Sequence, residues 1–265
     1  DSRADRLMLE LSSAELSRWV SSYLWVLFRI ASVLMTMPVF GTQLIPTRIR
    51  LYFALALTLL VAPQIPEVPT LDALSLSTWT IIAEQIVIGA AMGLSLQLLF
   101  QVHVMAGQII AMQMGLGFAS MNDPSMGISV AVVAQVFTML VTLLFLAMNG
   151  HLVVLEVLVE SFNTLPIGET LAATDFEALV YRFSWVMASA ILIGLPAIAA
   201  LLIVNLSFGV MMRAAPQLNI FSIGFPLTLI FGLFILWVLL SNVLGQYQEL
   251  ASDALIWLRA LVRAS

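Results

Sequence analysis

The 265-residue sequence contains no cysteine and no lysine; its ten basic residues are all arginine, spread from Arg3 to Arg263. Without cysteine there is no disulfide, no thiolate metal site and no thiol nucleophile, and the count says nothing of redox compartment. The arginines form no group denser than Arg48 and Arg50, so no concentrated cationic face exists. A nucleic-acid binder is thereby excluded, because displacing counterions from phosphates requires such a face. Charge of either sign is scarce, at 9% of residues with a net charge of −5. Apolar residues fill the space, at 62% of the chain and a mean hydropathy of +1.07. Soluble domains run nearer half apolar and about a quarter charged. Apolar content on this scale supplies six spans of roughly 20 residues with a surplus, so the expected fold is all-α, polytopic and membrane-type.

Residues 1–7 (DSRADRL) read as a polar tail or remnant ahead of a start at Met8. The first apolar run, Trp19 to Phe40, carries Arg29 at its middle and lacks a small-x-small site, so it does not read as a cleavable signal. Ile49 to Val61 is short for a full span. The proline-rich Ala62 to Pro69 follows as an extended linker, since each proline removes a donor and disfavours helix before it. A third helix is expected from an N-cap at Ser77 or Thr78 to Met114, about 36 residues and far longer than one crossing. Gly115 to Gly127 is a breaker-rich loop, and Ile128 to Met148 is an uncharged span that continues past Asn149 through Glu156 and Glu160 towards Pro166. Asp175 caps a fifth helix running through Pro196 to Met212; a sixth runs from Phe221 to Gly245 and on through Val262. The arginines fall on both sides of these six segments and set no orientation.

Catalytic inventories are not met. Asp123 is isolated mid-chain, Glu156 and Glu160 share one helix face, His151 and Glu156 lack metal-ligand spacing, and GLGF at Gly115 to Phe118 is not a dinucleotide fingerprint. The expectation is a non-enzyme without metal or cofactor. Gln97, Gln101 and Gln108 fall within about a 40° sector of the third helix, a polar face for subunit or pore contacts. Gly89 and Gly93 form a small-xxx-small pair suited to close helix packing. Asn205, Arg213, Pro216 and Asn219 mark a hairpin corner; Arg213, alone among apolar residues, needs a partner such as Glu156 or Glu160 or a neighbouring subunit. Met105, Met112, Met114, Met121 and Met126 crowd the central loop, where unbranched thioethers suit an element that repacks.

Two segments are more specific: Gln113 to Gly127 (QMGLGFASMNDPSMG) and Asn205 to Leu227 (NLSFGVMMRAAPQLNIFSIGFPL). With Phe28 to Pro46, they resemble the FliR family of flagellar type III export gates, related to a component of virulence injectisomes. That resemblance implies kinked, broken helical hairpins assembled with FliP and FliQ into a closed cone in the flagellar basal body of the bacterial inner membrane. Much of the cone would lie out of the ordinary membrane plane, with FlhB at its base and unfolded flagellar proteins as substrate. Residues 8–175 would be FliP-like and 176–265 a FliQ-like hairpin. The loop would be a plug, comprising Gly115, Leu116, Gly117, Phe118, Ala119, Ser120, Met121 and Asn122. Taken without the resemblance, the same loop reads as a simple turn, and the polar third helix leaves a small-molecule or ion transporter as the alternative.

Overall fold

A computed structural model describes residues 13–65, 75–116, 131–214 and 220–263. Among these the chain is all-α: α1 (Ser13–Thr36), α2 (Thr47–Val61), α3 (Leu76–Gln113), α4 (Val132–Ala147), α5 (Gly150–Thr164), α6 (Ala173–Ala214), α7 (Ile220–Leu240) and α8 (Val243–Leu261). Six expected segments therefore become eight helices, because two apolar runs break at their polar centres. Asn149 adopts φ 57° between α4 and α5, a left-handed conformation that Asn tolerates better than most side chains. Ser241 and Asn242 separate α7 from α8 with a bend of 58°. The break precedes Gly245, which lies inside α8.

Helix ends follow local chemistry. The Ser75 hydroxyl accepts the Ser77 amide at 3.2 Å, so the cap of α3 is Ser75 rather than Ser77 or Thr78. Asp175 lies in the first turn of α6 and accepts the Ala172 amide at 2.8 Å, the back-reaching half of a capping box. α1 ends at Thr36, before Pro38 rather than at Phe40. α4 starts four residues later than the apolar run.

The chain divides into two compact units. One holds the residues up to Gln97, Leu152–Phe176 and those from Trp257; the other holds Leu98–His151 and Glu177–Ile256. In the first, α1 buries Val26, Ile30, Val33 and Leu34 at helical spacing, and Met37 is buried just beyond it, with Ile88, Met92 and Leu96 of α3 and Val154, Val157 and Phe162 of α5. In the second, Ile110 and Ala111 of α3 and Met114 just beyond it share a core with Val133 and Phe137 of α4, Ala197 and Leu201 of α6, Leu236 and Leu239 of α7, and Val243 of α8.

At 1.5 Å per residue, α3 and α6 extend about 57 and 63 Å, roughly twice a hydrocarbon core. Both are long and apolar enough to cross a membrane, and the two bent pairs raise the candidate spans to four. α6 nevertheless leaves Val180, Met187, Ile191, Leu195, Leu202 and Leu206 exposed at four- and seven-residue spacing. An apolar stripe of that length requires lipid or another protein.

Candidate functional site

The central loop leaves α3 through a defined cap. Gly115 has φ 82°, its amide donates to the Met112 carbonyl, and the Leu116 amide donates to the Ala111 carbonyl, both at 3.0 Å. This is a Schellman motif, and glycine is favoured at its left-handed position because it has no Cβ. Leu116 packs against the second unit's core, as does Ala131 just before α4, so both flanks of the loop rest on one cluster. Of the eight residues expected to plug a pore, Gly115 and Leu116 form this cap; Gly117 to Asn122 lie outside the described residues.

The first unit holds a feature that the sequence reading passed over. Arg29 is fully buried, although no carboxylate is bonded to it among the described residues. Its Nε donates to Gln85 Oε1 at 2.7 Å, one terminal nitrogen donates to the Ser161 carbonyl at 2.9 Å and hydroxyl at 3.2 Å, and the other donates to the Leu165 carbonyl at 3.0 Å. The guanidinium also lies over the Phe162 ring, 4.4 Å from its centroid. Ser161 and Leu165 present the C-terminal carbonyls of α5, where a cation meets the negative end of the helix dipole. One side chain thus ties α1 to α3 and caps α5. A charge inside an apolar helix demands partners, and that test, applied above only to Arg213, identifies Arg29 equally well.

The other expected residues separate. Gln101 is exposed and Gln97 and Gln108 are half-buried, whereas the fully buried amide of α3 is Gln85. A Cβ on Gly89 would run into Ser32 Oγ and the Arg29 carbonyl; on Gly93 it would overlap Thr36 Oγ1 and come within 2.9 Å of the Met37 amide. α1 and α3 thus touch backbone to backbone immediately beside the Arg29 network. Asn205 is not at a corner: it sits within α6, where its Oδ1 accepts from Thr228 Oγ1 of α7 at 3.5 Å. Arg213 is exposed in the last turn of α6, a placement the helix dipole favours. Pro216 and Asn219 lie outside the described residues. The carboxylates suggested for Arg213 are occupied by Arg259, at 3.6 Å from Glu156 and 3.8 Å from Glu160. Among the described residues no three His, Asp or Glu side chains gather at metal-binding distance.

Comparison with known proteins decides the family. Residues 20–254 match the family described as bacterial export proteins, family 1. The chain belongs to the FliR family. It is 38% identical over 249 residues to flagellar biosynthetic protein FliR of Escherichia coli K12, covering 93% of this chain and 94% of that protein. It is 39% identical over 247 residues to FliR of Pectobacterium carotovorum, with the same coverage. The FliR of Aquifex aeolicus is 36% identical over 210 residues, 79% of this chain and 81% of that one. This FliR-family chain is accordingly a membrane protein of bacterial protein export and flagellar biosynthesis.

Proposed function

We propose that the chain assembles with FliP and FliQ into the flagellar protein-export channel of the bacterial inner membrane, associates with FlhB at its base, and closes the lumen with residues 115–122. Unfolded flagellar proteins pass when substrate and partners displace the loop; the chain's own contribution is steric. Family membership carries the export role and favours it over the small-molecule carrier.

The plug reading draws support from the cap of α3. Both flanks of the loop, Leu116 and Ala131, are seated on one core, and Gly115 takes the left-handed conformation that turns the chain out of α3. Phe118 and Met121 bring apolar bulk without charge that would grip a passing polypeptide. The unpartnered stripe of α6 supports the hetero-oligomer, since a chain exposing it needs neighbours.

Co-expression tests the assembly. The chain should be recovered as a stable species when FliP and FliQ are present and degrade or aggregate when made alone. Recovery of a stable, monodisperse protein without them, together with no co-purification in their presence, would refute the proposal.

A further inference from the structure

The first unit contains a cavity of about 380 Å³ whose walls carry charge of both signs. The turn at 168–170 lines one side, Asp175 in the first turn of α6 another, and Leu261 with Arg263, at and just beyond the end of α8, a third. Gly168 makes the turn in the left-handed region, at φ 101°, and the Glu169 amide donates to the Pro166 carbonyl at 3.1 Å. Leu165 also lines the cavity, and its carbonyl accepts from Arg29, so this wall is anchored by the buried network. Glu169, Thr170 and Arg263 are exposed, so the cavity is open to the surroundings. Glu169, Asp175 and Arg263 share it, yet among the described residues none of the three enters an ion pair. Asp175 Oδ2 holds the Ala172 amide at 2.8 Å, which leaves the carboxylate charge itself unmatched.

We propose that this cavity binds the headgroup of a zwitterionic phospholipid bearing a primary ammonium, with the phosphate on Arg263 and Thr170 and the ammonium between Glu169 and Asp175. A ligand of one sign alone meets repulsion from part of the wall, whereas a headgroup with both signs finds a partner for each. The arginine fork matches phosphate oxygens, and an ammonium donates to two carboxylates at once. The volume lies within the roughly 300–1,000 Å³ of small-ligand sites. α6 supplies the reason for a lipid rather than a soluble zwitterion. From Phe183 to Met212 it carries no charge, Tyr181 and Phe183 are exposed, and Arg182 stands between them. Aromatic side chains and arginine at the edge of an uncharged run mark a membrane interface. Asp175 precedes Tyr181 by about 9 Å along the helix. The polar layer of a bilayer is about 5–8 Å deep on each side, so the cavity falls at headgroup level.

The test is native mass spectrometry of the complete chain purified in detergent, with any partners that co-purify, titrated with dioleoyl phosphatidylethanolamine, phosphatidylcholine or phosphatidylglycerol. Phosphatidylethanolamine should be retained about tenfold more tightly than either of the others, because phosphatidylcholine has no ammonium N–H to donate and phosphatidylglycerol has no cation. Glu169→Gln combined with Asp175→Asn should bring phosphatidylethanolamine down to the level of phosphatidylcholine. Asn keeps a side-chain oxygen for the Ala172 amide, so the helix cap survives the loss of charge. Should that pair fail to fold, Glu169→Gln alone carries the same test with a smaller drop. Arg263→Gln should weaken all three lipids alike, whereas Arg48→Gln, exposed at the start of α2, should change none. Equal retention of the three lipids, a preference that survives neutralisation of the carboxylates, or soluble glycerophosphoethanolamine binding as tightly as the intact lipid overturns the assignment.

Discussion

Replacing Arg29 tests the buried network that ties α1 to α3 and α5. Arg29→Met keeps most of the volume and the apolar stem, so the cavity contribution is small and the loss is that of the hydrogen bonds. The Ser161 carbonyl survives, because it also accepts the Leu165 amide at 3.0 Å, and the Ser161 hydroxyl still donates to the Leu158 carbonyl at 2.7 Å. Two acceptors lose the guanidinium, Gln85 Oε1 and the Leu165 carbonyl. A buried polar group left unsatisfied costs about 1–3 kcal/mol, so the substitution should destabilise by about 2–6 kcal/mol. Replacing buried ion pairs by apolar residues is often harmless, but here the main-chain acceptor cannot be removed with its donor. Arg29→Lys should fall between, because an ammonium lacks the planar fork that reaches α3 and α5 together. The assay is thermal unfolding of the complete chain in detergent, followed by size exclusion. Arg29→Met or Arg29→Lys melting with wild type would refute the tie.

Two further predictions use the same assay. Gly89→Ala should destabilise by about 1–3 kcal/mol through overpacking against α1, whereas Gly209→Ala, on α6 with nothing within 4 Å of the added carbon, should stabilise by up to about 1 kcal/mol; equal effects would contradict the packing. Arg182 pairs with the half-exposed Asp253 at 2.6 Å and stacks 3.8 Å from the Trp185 ring centroid, so Arg182→Ala should cost about 1 kcal/mol in all. Part of that loss, the stacking share, should persist at high salt; complete suppression by salt would show that the ring contributes nothing.

Hydropathy located the helical material because burial in lipid or protein selects the same side chains. It did not separate α4 from α5 or α7 from α8, since Asn149 and Ser241–Asn242 are short polar interruptions in runs otherwise compatible with one helix. The capping chemistry at Asp175 was legible as a residue type, but the cap of α3 falls on Ser75 among several competing hydroxyls. Arginine asymmetry carried no orientation signal; Arg29, Arg50, Arg182 and Arg259 are each engaged by groups within the chain. Gly89 and Gly93 announced a close approach by spacing alone, while the partner, α1 from Arg29 to Met37, required three dimensions. Arg29 itself was visible as a charge in an apolar run. Its acceptors lie 56 to 136 residues away, beyond the reach of periodicity.

We propose that residues of the 115–122 loop close a protein-conducting pore. The most direct measurement is the ion conductance of the assembled complex in a planar bilayer with residues 117–122 deleted. Intact assembly and a conductance well above that of the wild-type complex are expected. Conductance unchanged from wild type in a fully assembled deletion complex would contradict it.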